Sequence, residues 1–300
     1  MATIGFIGLG NMGGPMAANL VKAGHAVRGF DPVPAALEMA RRSGVTVVGG
    51  AAATAEGADV VITMLPAGQH VRDVYDDPAG PLSVAAKGTL FVECSTIDVP
   101  NARAAHAAAV AAGMASLDAP VSGGVGGAAA GTLTFMVGGE AEAFARAQPI
   151  LAAMGRKIVH CGGASAGQAA KICNNMILGI SMIAVGEAFV LAEKLGLSHQ
   201  ALFDVASTSS GQCWSLTNYC PVPGPVPGSP ANNGYKPGFA AALMVKDLTL
   251  AQDAARSVGA ETELGRHAAE LYARFAREGS AGVDFSGIIN AIRAWSGEGN

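Results

Sequence analysis

Three glycines and one acid near the N-terminus have the spacing of a dinucleotide-binding site. Gly8, Gly10 and Gly13 form the pattern G-x-G-x-x-G within GFIGLGNMGG, and Asp31 follows 18 positions after the last glycine. We expect Gly8 to permit a tight turn, Gly10 to let a pyrophosphate approach the backbone, and Gly13 to let a helix pack on a strand. The free N–H groups and partial positive charge at the start of that helix would bind the phosphates.

Asp31 indicates which dinucleotide the loop would take. Its carboxylate would accept hydrogen bonds from the adenosine ribose hydroxyls and repel a 2′-phosphate, which favours NAD over NADP. The alternative is that Asp31 only caps a turn or helix before Pro32. The residues between the glycines, Leu9, Asn11 and Met12, complete the predicted cofactor loop.

Lys171 is the residue best suited to proton transfer. It lies in a segment of otherwise apolar, helical character, and Asn175 follows one turn later on the same face. Desolvation lowers the pKa of a lysine toward the range in which it exchanges protons near neutral pH. The alternative is a lysine at a domain edge whose amine stays in water.

The elements around the glycine loop predict a Rossmann-type α/β domain. The loop stands between two apolar runs, Ala2–Ile7 and Ala26–Phe30, and is followed at once by the helical stretch PMAANLVKAG. Short apolar runs then alternate with alanine-rich helical stretches. The further runs are Thr46–Val48, Asp59–Leu65, Thr89–Glu93 and Ser116–Ala119. This alternation is typical of a mainly parallel sheet with helices on both faces.

After Gly163 the short apolar runs give way to long helical segments, and this pattern predicts an all-α domain. A periodic segment without proline runs from Gln168 to Gly196, and three further helical segments follow Ala240. We therefore expect domains at residues 1–163 and 164–300, with the ligands meeting between them. Residues 220–239, CPVPGPVPGSPANNGYKPGF, are too rich in Pro and Gly for regular structure. Such a long ordered loop is usually functional, although it could also be a surface excursion that covers core.

Composition excludes several classes of protein. Half of the 300 residues are hydrophobic and 14% are charged, which supports a large core and argues against disorder. A net charge of −4 without a Lys/Arg run argues against nucleic acid and anionic membranes as partners. The five cysteines form no CxxC pair and no Cys/His cluster with metal-ligand spacing, so we expect no metal and reduced thiols.

The sequence also predicts a cytoplasmic protein. No targeting segment is visible before the first apolar run. The longest apolar stretch, Met176–Gly186, is ended by Glu187, well short of the roughly 20 residues that a membrane span needs. We expect this stretch to be a buried helix.

Four motifs in order resemble the β-hydroxyacid dehydrogenases, the family that contains 3-hydroxyisobutyrate dehydrogenase and tartronate semialdehyde reductase. The stretch FIGLGNMGGPMAANL resembles the N-terminal signature of that family. DAPVSGG at 118–124, GQAAKICNN at 167–175 and KDL at 246–248 match in the expected order, so the resemblance extends over nearly the whole chain.

The resemblance implies roles at the reaction centre. Lys171 would be the general base that takes the hydroxyl proton while hydride leaves for the nicotinamide, and the acid in the reverse direction. Asn175 would orient the substrate by hydrogen bonds. The turn Ser122-Gly123-Gly124 would bind the substrate carboxylate, and Lys246 would approach both the cofactor and that carboxylate.

Two further pairs of residues resemble the family's contacts to the nicotinamide side of the cofactor. Leu65 and Pro66 end one predicted strand, and Ser95 and Thr96 end another. The carboxyl ends of parallel strands share one edge of a sheet, where open α/β folds bind ligands.

The proline-rich segment favours one branch of the family. It looks like the corresponding insertion of 3-hydroxyisobutyrate dehydrogenases, with extra Pro-Gly units around Pro223 to Gly228. Trp214, Tyr219 and Phe239 flank it and could form an apolar wall for a substrate methyl group, or could equally be core.

The resemblance therefore implies NAD-dependent oxidation of 3-hydroxyisobutyrate to methylmalonate semialdehyde in valine breakdown. The alternatives are another short 3-hydroxy acid (serine, 3-hydroxypropionate, glycerate or tartronate semialdehyde), an imine reductase, or a non-catalytic binding protein of the same fold. Lys171 counts against the last two. Leu178, Ile183 and Val190 indicate an apolar face on the long helix, which predicts a homodimer or homotetramer.

Overall fold

The computed structural model describes residues 1–297, so the last three residues of the predicted second domain lie outside the described part. The chain divides into two compact units, of which the first spans Met1–Lys171 and the second begins at Ile172.

The first unit is built on one sheet in which the strand order is β3-β2-β1-β4-β5-β6-β8-β7, with β9 beside β8. Its strands are β1 (Thr3–Ile7), β2 (Ala26–Phe30), β3 (Thr46–Val47), β4 (Val60–Thr63), β5 (Leu90–Glu93), β6 (Ala115–Asp118), β7 (Val121–Ser122), β8 (Leu133–Gly139) and β9 (Gly155–Gly162). Neighbours from β3 to β6 are parallel, whereas β8 is antiparallel to β6 and β7. This is the strand order of a Rossmann domain, and the predicted fold class is confirmed.

Helices cover both faces of that sheet. They are α1 (Gly13–Lys22), α2 (Pro34–Arg42), α3 (Ala51–Ala55), α4 (Gly68–Tyr75), α5 (Pro81–Val84), α6 (Val99–Ala111), α7 (Gly124–Ala130) and α8 (Ala141–Leu151). Successive strand residues point to opposite faces, so Phe6 and Ile62 enter one core while Ile7 and Val61 enter the other. Burial on both faces explains why the strands read as unbroken apolar runs.

The second unit is helical, as predicted. Its helices are the part of α9 (Ala166–Lys194) from Ile172 onward, then α10 (His199–Ala206), α11 (Trp214–Thr217), α12 (Ala241–Val258), α13 (Glu263–Phe275) and α14 (Ile288–Trp295). They enclose a separate core that includes Phe189, Met244, Tyr272 and Ile289.

The division between the units falls inside α9, eight residues beyond the boundary predicted from the sequence. The backbone amides of Ser165 and Gln168 both donate hydrogen bonds to the carboxylate of Asp118 in the first unit. The change in sequence pattern after Gly163 therefore marks where helix α9 begins. The division between the units comes later, because the first turns of α9 pack on the first unit.

The long helix α9 differs from expectation in two respects. Ile183 and Val190, predicted to belong to a surplus apolar face, are buried in the core of the second unit, while Ile177 and Leu191 are the exposed apolar residues. By length and composition alone the helix could also cross a membrane, because an 18-residue window of it is sufficiently apolar. Half of that window is buried inside the protein, and a core helix meets the same criteria.

Candidate active site

Five parallel strands end in one row at the same edge of the sheet. The last residues of β2, β1, β4, β5 and β6 are registered neighbours: Phe30, Ile7, Thr63, Glu93 and Asp118. The strand order reverses beside β1, and open α/β sheets bind ligands in the crevice beyond such a point. The glycine loop begins there, directly after Ile7.

The three glycines meet different requirements. Gly8 has φ of +94°, and a Cβ on it would lie 2.2 Å from the carbonyl oxygen of Met64. A Cβ on Gly13 would lie 1.9 Å from the carbonyl oxygen of Gly8. Around the corresponding point of Gly10, no heavy atom of the described residues lies within 4 Å. The fold therefore requires Gly8 and Gly13, whereas Gly10 faces open space of the kind that a pyrophosphate needs.

The start of α1 is also suited to an anion. Among the described residues, no side chain caps this helix, whose N-cap residue is Met12. The amides of Gly14 and Met16 already donate to the carbonyl oxygens of Gly10 and Met12, and Pro15 has no N–H. Phosphate oxygens would therefore meet the amides of residues 11–13 and the partial positive charge of the helix start. The loop, the helix start and the acid after β2 together fit a dinucleotide.

Asp31 caps a turn, as the alternative interpretation expects, but among the described residues no side chain caps helix α2. Its Oδ2 accepts a hydrogen bond from the amide of Leu9 at 2.7 Å, and its Oδ1 accepts one from Val33 at 2.8 Å. Val33 is the N-cap residue of α2. The carboxylate thus ties the glycine loop to the end of β2. Each oxygen of a carboxylate accepts more than one hydrogen bond, so this role is compatible with contacts to ribose hydroxyls.

The predicted nicotinamide-side residues form a connected pair of turns. The Oγ of Ser95 accepts a hydrogen bond from the amide of Leu65 at 2.7 Å, and the Ser95 side chain is fully buried. Leu65 and Thr96 are partly buried, and Pro66 is exposed. The hydroxyl of Ser95 therefore joins the two turns.

Asp118, Glu93 and Gln168 form a buried polar network that was missed from the sequence. The Asp118 carboxylate accepts from the amides of Ser165 and Gln168 at 2.7 and 2.8 Å. Burial raises the pKa of Asp118 above its ordinary value, although those two hydrogen bonds favour the ionised form. Asp118 and Gln168 stand in motifs with family resemblance, and Glu93 is the one charge in the apolar run LFVE. These sequence features were the signals that could have identified the network.

Cys94 is not placed to act as a nucleophile. Burial, followed by the nearby charge of Glu93, holds the pKa of its thiol well above the ordinary value. The reactive form of cysteine is the thiolate, so this thiol is inert.

Lys171 lies in α9 three residues after Gln168 and is only 6% exposed. This burial does not fit the alternative of a lysine whose amine extends into water. Asn175 follows one helical turn later and is also buried.

The Ser122-Gly123-Gly124 turn connects β7 to α7. Ser122 pairs with Thr134 of β8 and is partly buried. Gly123 and Gly124 have φ of +134° and +61°, so the turn needs glycine at both positions for its backbone conformation.

In the second unit, Asn175 is held by a residue that the sequence did not single out. Its Nδ2 donates to Oδ2 of Asp247 at 2.5 Å, and its Oδ1 accepts from Nδ2 of Asn174 at 3.0 Å. The other oxygen of Asp247 lies 3.6 Å from Nζ of Lys246. A carboxylate only accepts hydrogen bonds, so Asp247 fixes which way the Asn175 amide faces. Asp247 lies in the KDL motif, which is the one signal that pointed to it.

The aromatic residues at the two ends of residues 220–239 pack in a row that includes Phe285. Trp214 stacks on Tyr219 with ring centres 5.0 Å apart, and Tyr219 stacks on Phe285 at 5.3 Å. Phe239 meets Phe285 edge-on at 5.7 Å. Trp214 is half exposed, while Tyr219 and Phe239 are partly buried. The cluster is therefore core at Phe285 and surface at Trp214.

Buried Asp284 fastens the end of this segment. Its Oδ2 accepts hydrogen bonds from the Tyr219 hydroxyl and from the amides of Gly238 and Phe239, at 2.9 to 3.0 Å. Within the segment, the Tyr235 hydroxyl donates to the carbonyl oxygen of Pro221 at 2.8 Å. The proline-rich run is therefore tied down near both ends despite its lack of regular structure.

Comparison with known proteins assigns the chain to a family. A family model described as the NAD-binding domain of 6-phosphogluconate dehydrogenase matches residues 3–163. A second model, described as the NAD-binding of NADP-dependent 3-hydroxyisobutyrate dehydrogenase, matches residues 165–292. The chain is 58% identical over 294 residues to a probable 3-hydroxyisobutyrate dehydrogenase of Mycobacterium tuberculosis, which covers 98% of this chain and 99% of that protein.

The chain belongs to the β-hydroxyacid dehydrogenase family.

Other members of the β-hydroxyacid dehydrogenase family indicate the class of reaction and of substrate. The chain is 50% identical over 286 residues to an NAD-dependent L-serine dehydrogenase of Pseudomonas aeruginosa, covering 95% of this chain and 96% of that one. It also resembles a solved structure of M. tuberculosis 3-hydroxyisobutyrate dehydrogenase with L-serine, at 58% identity and a TM-score of 0.94, covering 98% and 99% of the two chains. This member of the β-hydroxyacid dehydrogenases is an oxidoreductase that uses NAD on a small 3-hydroxy acid.

Proposed function

We propose that the protein oxidises 3-hydroxyisobutyrate to methylmalonate semialdehyde, a step of valine breakdown, with Lys171 as the general base. The observation that carries the chemistry is the burial of Lys171 in α9, one turn before buried Asn175. The choice of substrate is supported by the identity of 58% with a probable 3-hydroxyisobutyrate dehydrogenase over nearly the full length of both chains.

The cofactor would be held by residues that follow the strand ends. These are the loop of Gly8, Leu9, Gly10, Asn11, Met12 and Gly13, then Asp31, Leu65, Pro66, Ser95 and Thr96, together with Lys246. Bound NAD supplies the hydride acceptor. Main-chain N–H groups of the loop and of the start of α1 would neutralise its phosphates, and Asp31 would accept from its ribose hydroxyls.

The protein's own groups would bind the substrate and move its proton. Nζ of Lys171 would take the hydroxyl proton during oxidation and return it during reduction. The second N–H of Asn175 would donate to a substrate oxygen, since the first is committed to Asp247. Ser122 and the amides of Gly123 and Gly124 would hold the carboxylate, with the charge of Lys246 attracting it.

The substrate methyl group is the point on which the proposal depends most. We place it against the aromatic cluster of Trp214, Tyr219, Phe239 and Phe285. Serine carries a charged ammonium group instead, and the similarity to an L-serine dehydrogenase makes serine the second candidate. One methyl group in an apolar pocket discriminates between substrates by only about 1–3 kcal/mol. We therefore expect kcat/KM to be higher for 3-hydroxyisobutyrate than for serine, with some turnover of both.

The proposal is tested by initial rates of NAD reduction with 3-hydroxyisobutyrate, serine, glycerate and 3-hydroxypropionate, each repeated with NADP. We expect the highest kcat/KM for 3-hydroxyisobutyrate with NAD. If serine leads, the aromatic cluster does not select a methyl group and the second candidate replaces the first. Absence of turnover with all four acids would contradict the proposal.

Asp31→Ala should weaken NAD binding by about 10–100-fold and NADP binding by less, because only NAD presents both ribose hydroxyls to the carboxylate. The dissociation constants of both cofactors, measured by fluorescence titration, check this. Since Asp31 also caps the turn before α2, the control is Asp98→Ala, which removes the aspartate that caps the start of α6. An unchanged ratio of the two dissociation constants would show that Asp31 serves only as a cap.

We also propose that the protein is a homodimer or homotetramer. Ile177 and Leu191 on α9 are 63% and 58% exposed, and their separation of 14 residues, close to four helical turns, puts them near the same face of the helix. Light scattering of the purified protein measures its mass directly, and the mass of one chain would contradict this proposal.

A further inference from the structure

The side-chain amide of Gln168 is fully buried and hydrogen-bonded at each polar atom. Its Nε2 donates to the carbonyl oxygen of Ser95 at 2.6 Å and to Oε2 of Glu93 at 3.2 Å. Its Oε1 accepts from the amide of Ile97 at 3.2 Å. Gln168 therefore binds the backbone of the turn after β5 at two points, through a carbonyl oxygen and an amide.

Glu93 determines the orientation of that amide. Its Oε1 accepts from the amide of Ser95 at 2.7 Å, while its Oε2 accepts from Gln168. A carboxylate has no proton to donate, so the NH₂ end of Gln168 must face it. The carbonyl end is then left for the amide of Ile97.

The same residue is anchored on its helical side. The backbone amide of Gln168 donates to Asp118 at the end of β6, and so does that of Ser165 one turn earlier. Lys171 follows Gln168 by three residues, which puts both side chains on neighbouring positions of one helix face. The turn of α9 that carries Lys171 is thus joined to the ends of two strands.

The connection continues to the turn after β4. Ser95, whose carbonyl oxygen accepts from Gln168, uses its hydroxyl to hold the amide of Leu65. Leu65, Ser95 and Thr96 are the residues proposed to border the nicotinamide. Gln168 therefore stands between the proposed base and the proposed border of the reacting ring.

We propose that Gln168 is a positioning residue that sets the distance between Lys171 and the turn at residues 95–97. This inference rests on the proposed function, because it assumes that Lys171 moves the substrate proton. Gln168 is wholly buried, so we assign it no contact with substrate or cofactor. A displacement of about 1 Å in a reacting group costs roughly 10²-fold in rate. Loss of the hydrogen bonds of Gln168 should therefore lower the rate of the chemical step.

The test is Gln168→Met in the full chain, which keeps the volume and removes the hydrogen bonds. We expect kcat for 3-hydroxyisobutyrate to fall about 10–100-fold while the dissociation constant of NAD changes little. With substrate deuterated at the carbon that loses hydride, the isotope effect on kcat should rise, because a misplaced base slows the chemical step. Gln252→Met is the matched control, since Gln252 is a buried glutamine in the second unit that bonds to Thr262.

A purely structural role for Gln168 gives a different result. Partial unfolding lowers kcat in proportion to the folded fraction and leaves the isotope effect unchanged, and that outcome would overturn the inference. Should Gln168→Met fail to fold, Glu93→Gln serves instead. A carboxamide has only one oxygen, so at position 93 its NH₂ group would face a second donor, either the Ser95 amide or Gln168. We expect the same rise of the isotope effect with a smaller loss of kcat.

Lys171→Met separates failure of this inference from failure of the proposed function. If Lys171→Met is inactive while Gln168→Met retains normal kcat and isotope effect, only the positioning role is wrong. If Lys171→Met retains normal turnover, the proposed base is wrong and the positioning role falls with it.

Discussion

Lys171→Met should lower kcat for oxidation of 3-hydroxyisobutyrate by about 10²–10⁴-fold, the range typical of removing a general acid or base. Methionine has nearly the length of lysine and no charge, so it should fill the buried position without opening a cavity. Lys171 is 6% exposed, and water has little access with which to replace its amine as a proton acceptor.

The dissociation constant of NAD should change little in the same variant. The residues proposed to hold the phosphates and the ribose belong to the glycine loop and to Asp31, whose carboxylate accepts from the amide of Leu9 in that loop. Steady-state kinetics together with a fluorescence titration of NAD separate the two effects. Lys194→Met, at an exposed position in the last turn of α9, is the matched control and should retain normal kcat. Near-normal turnover of Lys171→Met would show that another group takes the proton.

The second large effect is expected in the glycine loop, where two Gly→Ala substitutions should both weaken NAD binding but only one should lower the stability of the fold. Gly13→Ala places a Cβ 1.9 Å from the carbonyl oxygen of Gly8, and backbone must shift to relieve that contact. We expect a loss of about 1–3 kcal/mol in the free energy of unfolding, as for other overpacked sites, and loss of NAD binding with it. Thermal and urea unfolding measure the first, and a titration with NAD measures the second.

Gly10→Ala should leave the free energy of unfolding nearly unchanged, because within the described part of the chain no atom lies near the added Cβ. The same methyl group would meet the pyrophosphate, so NAD should bind at least about 10-fold more weakly. Gly163→Ala adds a methyl group in similarly open surroundings outside the glycine loop and is the control. Normal affinity of Gly10→Ala for NAD would mean that the open space beside Gly10 is not where the cofactor lies.

Features that depend on local structure could be predicted from the sequence. The G-x-G-x-x-G loop, the apolar strands and the proline-free helix were all found from it, because backbone conformation and burial period are written into neighbouring residues. The family followed from four short motifs in order. Helix α9 begins at Ala166, two residues before the periodic segment predicted from Gln168, since helix boundaries are set by a few residues.

The polar groups that support the site could not be predicted in this way, because they come together only through tertiary packing. Gln168 meets Glu93 across 75 residues, Asn175 meets Asp247 across 72, and Gly238 meets Asp284 across 46. Hydrogen bonds of this kind depend on how distant segments pack, and a single sequence holds no pattern of spacing that reveals them. For the same reason, the structure showed that Asp31 caps the turn before α2 while it holds the glycine loop, and placed the division between the units within α9 rather than at its start.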